Sequence, residues 1–244
     1  MGTDVWDQQV AQGYDASSAH MYAPEVLGPT VDFLAQRAGR GPALELAIGT
    51  GRVALPLAAR GVAVAGIELS EPMVAQLRNK PGGGDIPLSI GDMASTRAPG
   101  AFSLVYLVYN AITCLLAQDR QVECFRNAAS HLRPGGRFVI EVFVPDLQRL
   151  PPGETARPFH VGQHHLGFDT FDLVDQRLVS HHYWIKDGAA RTFRSPHRFV
   201  WPSELDLMGR LAGLELRERW ADWNQTPFTA ASTSHVSVWQ KPHG

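Results

Sequence analysis

The chain has 244 residues, of which 44% are hydrophobic and 19% are charged, and its formal net charge is −2. This length suits one α/β domain, or one domain with an elaborated cap, and it buries enough surface to fold without disulfide bonds. The nearly balanced charge and the lack of a basic run disfavour a nucleic-acid partner held through its phosphates.

Neither a secretion signal nor a membrane span is apparent in the sequence. The first 15 residues are polar and acidic, and no apolar stretch approaches the roughly 20 residues needed to cross a bilayer. Cys114 and Cys124 have no metal-binding or redox spacing and are interpreted as reduced thiols. We therefore expect a cytoplasmic protein with no membrane partner, either a monomer or a homodimer.

The first predicted elements are two helical pieces over residues 4–38, broken near Gly13 and again near Pro24. Pro29 leaves the start of the second piece open, because a proline beyond the first turn kinks a helix. Strands are then predicted at 43–48, 62–67, 86–90, 102–108 and 137–144, and helices at 52–60, 71–79 and 118–132. Apolar strands that alternate with helices predict a parallel sheet covered on both faces.

The pattern changes after Pro145. Three consecutive strands with alternating residues follow, with turns near Asp175 and at Asp187-Gly188. A helix from Pro202 to about Leu211 and strands near 214–220 and 235–240 complete the prediction. We divide one domain, 1–244, into a helical cap (1–40), a cofactor-binding core (41–154), an antiparallel insertion (155–201) that covers the edge of the sheet, and the end of the sheet (202–244).

The run ALELAIGTGRVALPLA, residues 43–58, predicts a strand, a glycine turn and the start of a helix. Its segment from Gly49 to Ala54 fits the G-x-G-x-x-G/A spacing with which such a turn holds a nucleotide cofactor. Gly49 and Gly51 can adopt positive φ and let backbone N–H groups approach a ligand. The spacing alone fits a dinucleotide enzyme equally well, or a tight strand–helix junction.

Three acidic residues lie on successive predicted strands. Glu45 lies inside the first strand and needs a partner, either the loop itself or a cationic ligand. Glu68 ends the second strand, where it can accept hydrogen bonds from both ribose hydroxyls. Asp92 follows the third strand, where it can accept from an adenine amino group or serve as a turn residue. Together the three acids favour a cofactor that contains adenosine.

These runs resemble the motifs of the class I S-adenosylmethionine-dependent methyltransferases. Residues 43–51 resemble their first motif, GIELSEPMV (66–74) the second, GDM (91–93) the third, and LRPGGRFVI (132–140) the turn into the fifth strand. The resemblance implies a doubly wound, Rossmann-like α/β sheet of order 3-2-1-4-5-7-6 with strand 7 antiparallel. Ala47 replaces the commoner glycine, and Glu68 replaces the commoner aspartate.

The resemblance also implies the cofactor, S-adenosyl-L-methionine, and the product, S-adenosyl-L-homocysteine. It places the methionine end near Gly49, Gly51 and Arg52, the ribose on Glu68, and the adenine beside Met73. The predicted cofactor-binding residues are Tyr22, Glu45, Ala47, Gly49, Gly51, Arg52, Glu68, Leu69, Met73, Asp92, Met93 and Val108.

Methyl transfer needs an aligned nucleophile and the exclusion of water, and only sometimes a base. The candidates for this work are Tyr109 and Asn110 after the fourth strand, Tyr14 in the N-terminal segment, and His182 in the insertion. The tyrosines could instead pack against the core. The histidine clusters lack a carboxylate or thiolate at ligand spacing, so no metal site is predicted.

The sequence therefore predicts a methyltransferase that acts on nitrogen or oxygen of a small molecule, of the natural-product tailoring type. A non-catalytic cofactor-binding protein is one alternative. An NAD(P)-dependent oxidoreductase is another, but it leaves Glu45 and the LRPGG turn unexplained.

Overall fold

The computed structural model of the chain describes residues 7–186 and 189–243. Its helices are α1 (Gln8–Ser17), α2 (Pro24–Ala38), α3 (Ala54–Ala59), α4 (Glu71–Arg78), α5 (Gln118–His131) and α6 (Pro202–Leu211). Its strands are β1 (Ala43–Leu46), β2 (Val64–Glu68), β3 (Leu88–Ile90), β4 (Phe102–Leu107), β5 (Leu132–Phe143), β6 (Ala156–Val161), β7 (His165–Asp172), β8 (Arg177–Lys186), β9 (Ala189–Arg198), β10 (Glu215–Trp220) and β11 (Ser234–Gln240). None of the described helices is long and apolar enough to cross a membrane.

The larger sheet has seven strands in the order β3-β2-β1-β4-β5-β11-β10. The first five strands in the chain pair in parallel, and β11 runs antiparallel to β5. The predicted order, with its antiparallel last strand, is therefore confirmed. The chain reverses direction across the sheet between β3 and β4, so the carboxyl ends of β1 and β4 flank the switch point where such sheets bind ligands.

Helices cover both faces of this sheet. On one face, the ring of Phe125 in α5 packs edge-on against Phe138 and Trp239, with centroid distances of 5.1 and 5.2 Å. On the other face, Leu34 of α2 and Leu57 of α3 are fully buried. The central strands β1 and β4 are buried along their whole length, as continuous apolar runs predict.

The N-terminal helices differ from the prediction at one point. The chain breaks before Pro24 as predicted, but the break near Gly13 is wrong, because α1 runs through that residue. Asp7 caps α1 by accepting from the Val10 amide at 2.8 Å, and one interior glycine costs a helix only about 1 kcal/mol. Helix α2 starts at Pro24 and continues through Pro29. The predicted helical residues 4–6 lie outside the described part of the chain.

The insertion forms a second, antiparallel sheet of four strands in the order β6-β7-β8-β9. The prediction of three strands missed β6, which contains Pro158. Proline discourages a strand prediction but is tolerated at a sheet edge, where β6 lies. The predicted turn at Asp187-Gly188 lies outside the described residues.

The sequence analysis expects the insertion to cover the edge of the larger sheet. In the structure, the insertion does not lie along an edge strand. Its strand β9 packs against residues 111–114, just beyond the carboxyl end of β4. This places the insertion near the middle of the sheet, beside the switch point.

Candidate active site

A small cavity of about 20 Å³ lies at the carboxyl ends of β1, β2 and β3. Its lining combines apolar side chains with two carboxylates: Ala47, Ile67, Glu68, Leu69, Gly91, Asp92 and Met93. All three strand ends meet here because parallel strands end at the same edge of a sheet. The lining therefore offers apolar surface to the faces of a flat group and carboxylate acceptors to its polar edges.

The glycine turn after β1 forms one wall of this region. Gly49 has φ +58°, and a Cβ added there would meet almost nothing but open space. Gly51 has φ +80°, and a Cβ there would meet the Leu77 side chain at 2.3 Å. Ala47 has φ +53° as well, in the left-handed region that favours glycine. Glycine at position 51 is thus favoured by its left-handed backbone and by the nearby Leu77 side chain, whereas Gly49 has open space beside it.

Glu68 ends β2 and is 7% exposed. Its carboxylate accepts from the backbone amides of Gly49 and Ser70, each at 2.8 Å. Burial raises the pKa of this carboxyl, and the backbone donors act against that rise. A carboxylate has about four lone-pair sites, so Glu68 can hold the glycine turn and still accept from a ligand.

Asp92 lies beyond β3 and also has two protein partners. Its Oδ1 accepts from the Ala94 amide at 2.8 Å, and its Oδ2 accepts from Nη2 of Arg120 at 2.9 Å. Met73 is buried in the first turn of α4, where its amide donates to the Ser70 hydroxyl at 3.3 Å. The cap at Ser70 thereby fixes the start of α4.

Glu45 is buried inside β1. Its carboxyl accepts from the Tyr106 hydroxyl at 2.9 Å, and the Ala54 backbone is a further partner. Burial raises the pKa of Glu45 to about 8, although Tyr106 and the positive charge of Arg52 both work to lower it. Protein groups therefore supply the partners that the sequence requires for this acid.

Asp15 ties the N-terminal helix to the glycine turn through contacts that we call the Asp15 latch. Its carboxylate accepts from the Tyr22 hydroxyl at 2.5 Å and the Thr50 hydroxyl at 2.6 Å. It also pairs with Nζ of Lys80 at 2.5 Å, and Lys80 donates to the Thr50 carbonyl at 2.7 Å. Burial works to raise the pKa of Asp15, but these donors lower it overall.

Tyr14 lies next to this latch, within electrostatic range of Tyr109 and Arg52. Burial raises the pKa of its phenol well above the usual value, and the neighbouring Tyr109 raises it further. The Arg52 guanidinium lies 5.4 Å from the centre of the Tyr109 ring. The phenol of Tyr14 therefore stays protonated at neutral pH.

The backbone after β4 is held in an unusual conformation. Tyr109 and Asn110 have φ of +53° and +61°, although neither is glycine. The Tyr109 amide donates to the Glu141 carboxylate at 2.9 Å, and the Asn110 side chain accepts from the Phe143 amide at 2.8 Å. Such strain persists only where the surroundings enforce it, and it often occurs at functional sites.

Val108, immediately before this pair, is buried. Tyr109 itself is 40% exposed to solvent. The structure thus brings the predicted cofactor-binding residues to one end of the larger sheet. Three of the catalytic candidates lie at the same end: Tyr14, Tyr109 and Asn110.

His182 lies in β8 of the insertion, within electrostatic range of His197 in β9. Its ring stacks with those of His165 and Trp184, and its Nδ1 lies 3.1 Å from Nε2 of His165. The histidine that reaches the segment after β4 is His197, which the sequence analysis did not single out. Its Nδ1 lies 2.9 Å from the hydroxyl of buried Thr113.

Burial lowers the pKa of His197 to about 4. Its imidazole is therefore neutral at physiological pH.

Among the described residues, no group of three His, Cys, Asp or Glu side chains could hold a metal ion. Cys114 and Cys124 are both free thiols.

Comparison with known proteins agrees with this geometry. Residues 43–136 match the family model described as a methyltransferase domain. The CcbJ methyltransferase from Streptomyces caelestis is 39% identical, with a TM-score of 0.80 and 88% of each chain covered. The cypemycin N-terminal methyltransferase of a Streptomyces species is 24% identical, and the match covers 97% of this chain and 98% of that protein. S-adenosylmethionine-bound CalS10, an amino pentose methyltransferase from Micromonospora echinaspora, is 20% identical with a TM-score of 0.71, and the match covers 93% of this chain and 96% of that one.

The sheet order, the glycine turn after β1 and the similarity to CcbJ along most of both chains lead to one assignment. The acids at the ends of β2 and β3 agree with it. The chain belongs to the class I S-adenosylmethionine-dependent methyltransferases.

Proposed function

We propose that this protein transfers a methyl group from S-adenosylmethionine to a nitrogen atom of a small natural product. Two relatives support this acceptor class by their names. One is named for an N-terminal methylation of cypemycin, and the other for an amino pentose. These two names carry the choice of nitrogen, and the protonated phenol of Tyr14 agrees with it.

The cavity suits the adenosine half of the cofactor. The apolar side chains of Ile67, Leu69 and Met93 fit the faces of adenine, while Glu68 and Asp92 offer acceptors for the ribose hydroxyls and the adenine amino group. The open space beside Gly49 leaves room for a ligand close to the backbone. We propose that Met73 also lies beside the adenine. The other residues of the predicted set would hold the rest of the molecule: Tyr22, Glu45, Ala47, Gly51, Arg52 and Val108.

When bound, S-adenosylmethionine supplies a methyl carbon that its sulfonium already activates. The protein then has to orient the acceptor and exclude water. We propose that Tyr14, Tyr109 and Asn110 do this at the carboxyl end of β4, where Asn110 is fixed by the Phe143 amide.

A hydroxyl acceptor would need a base to remove its proton as the bond forms. Tyr14 cannot provide one, because burial keeps its phenol protonated. Both ring nitrogens of His197 already contact hydroxyl groups, those of Thr113 and Ser195. A neutral amine has a free lone pair and needs no base. In this proposal, His182 therefore does not have to accept a proton.

The test is a panel of paired acceptors in which each amine is matched by its hydroxyl analogue. The panel includes dipeptides with a free N-terminus and amino sugars. We expect S-adenosylhomocysteine release and a mass gain of one methyl group only with amines, at rates that rise with pH until the amine is fully neutral. Methylation of the hydroxyl analogues alone would contradict the nitrogen assignment. Binding of the cofactor without transfer to any amine would also contradict it.

Asparagine in place of Asp15 is expected to make S-adenosylhomocysteine dissociate about three to ten times faster. The substitution removes the charge that pairs with Lys80 and weakens the hold of α1 on the glycine turn. The effect is kept modest because the Asp15 side chain is 38% exposed and exposed ion pairs contribute little. Stopped-flow displacement measures the rate.

Asp7→Asn is the matched control for this prediction. Asp7 caps the same helix, away from the latch, and asparagine caps a helix as well as aspartate does. Equal dissociation rates in both variants would show that the latch does not retain the cofactor.

A further inference from the structure

The Asp92 carboxylate at the edge of the cavity is held from two directions. The Ala94 amide, two residues along the chain, binds Oδ1 at 2.8 Å. Arg120, in the first turn of α5, binds Oδ2 at 2.9 Å through Nη2. The two oxygens rotate together about the Cβ–Cγ bond, so the arginine gives the carboxylate a second point of attachment that restrains this rotation.

Arg120 has a second contact on its own helix. Its other terminal nitrogen, Nη1, pairs with Glu123 one turn further along α5. Helix α5 is anchored on the sheet by Phe125, which is fully buried against Phe138. The guanidinium therefore links α5 to the Asp92 side chain.

We propose that Arg120 is a positioning residue that makes the cofactor site selective for adenine, by holding the Asp92 carboxylate towards the exocyclic amino group of the base. This inference rests on the proposed function, in which Asp92 accepts from adenine. A carboxylate can only accept hydrogen bonds, so it favours a base with an amino group over one with a carbonyl oxygen at the same place. The preference is strong only while the carboxylate keeps its orientation.

A purely structural role for the pair predicts something different. The side chains of Arg120 and Asp92 are 38% and 20% exposed, and ion pairs with such exposure add little to folding stability. Loss of the arginine would then leave both the stability and the choice of base unchanged. Base preference therefore separates the two roles.

The experiment compares S-adenosylhomocysteine with S-inosylhomocysteine, which has a carbonyl oxygen in place of the adenine amino group. Calorimetry gives the ratio of the two dissociation constants for the wild type, Arg120→Met, Asp92→Asn and the double variant. Arg126→Met is the matched control, because Arg126 is an exposed arginine of the same helix. Thermal melts of all variants confirm that each is folded.

We expect the wild type and Arg126→Met to prefer S-adenosylhomocysteine by about tenfold or more, the equivalent of one charge-assisted hydrogen bond. Arg120→Met should lower that preference about fivefold. In the Asp92→Asn background the same arginine substitution should change the ratio less than twofold, because the group that it positions is gone.

An unchanged or increased preference in Arg120→Met would overturn the inference. An equal effect of Arg120→Met with and without Asp92 would also overturn it. If the wild type bound neither compound, the proposed function itself would fail. If the wild type bound both compounds equally, the proposed function would stand, and only the inferred selectivity for adenine through Asp92 and Arg120 would be wrong.

Discussion

The substitution Glu68→Ala is expected to weaken the binding of S-adenosylhomocysteine by about a hundredfold, as measured by calorimetry. A hydrogen bond to a charged group contributes about 1.5–3 kcal/mol, or roughly ten- to a hundredfold in affinity. In the proposed site, Glu68 supplies such bonds to the ribose. The same carboxylate also accepts from the Gly49 and Ser70 amides, so its loss additionally loosens the glycine turn.

Two further variants make this result specific. Glu71→Ala removes an exposed glutamate from the start of α4 and should bind as the wild type does. Glu68→Gln keeps the size of the side chain but replaces one acceptor oxygen with a donor that faces a backbone amide, so it should fall between wild type and alanine. Wild-type affinity in Glu68→Ala would place the ribose elsewhere.

Much of the fold follows from local sequence patterns. Helix α6 begins at Pro202 and ends at Leu211 as predicted, because proline is well suited to the first turn of a helix. The strand order came from the family resemblance, since periodicity alone does not determine which strands are neighbours. The start of β5 was missed because the backbone around Gly135, with φ +77°, bulges between two stretches paired with β4.

The glycine turn of the candidate site and the acids at its strand ends could also be predicted from the sequence. Glycines after a strand and acids at strand ends are local signals. The partners of those acids were not readable, because they depend on how distant segments meet. Glu45 faces Tyr106 through the register of β1 and β4. Asp92 and Arg120 are 28 residues apart, and Asp15 and Thr50 are 35 apart. Lys80 lies in a polar loop with no motif around it.

Cofactor binding at pH 7 is expected to release close to one proton, which comes from Glu45. Burial raises the pKa of this carboxyl to about 8, so it is mostly protonated in the free protein at pH 7. The methionine part of the cofactor carries an ammonium group, which we propose lies near this end of β1. A nearby positive charge favours the carboxylate, so the proton leaves as the ligand binds. Calorimetry in phosphate and in Tris, which differ in ionisation enthalpy, counts the protons released.

The same shift affects the stability of the free protein. The folded pKa of Glu45 lies above the ordinary value of 4.5, so the folded state binds the proton more tightly than the unfolded state does. Its contribution to stability is therefore complete below about pH 4.5 and is lost as the pH rises towards about 8. Thermal melts should show that Glu45→Gln, which has no proton to lose, destabilises the protein less at pH 8 than at pH 5.

Glu45→Gln should also bind the cofactor without releasing this proton, because an amide does not titrate. Tyr106→Phe removes a hydrogen bond that lowers the pKa of Glu45, so that variant should still release a proton at pH 7. Equal proton release by wild type and Glu45→Gln would show that another group titrates. The buried acid in β1 would then serve only to bind Tyr106 and the start of α3, and the ammonium group would have to bind elsewhere.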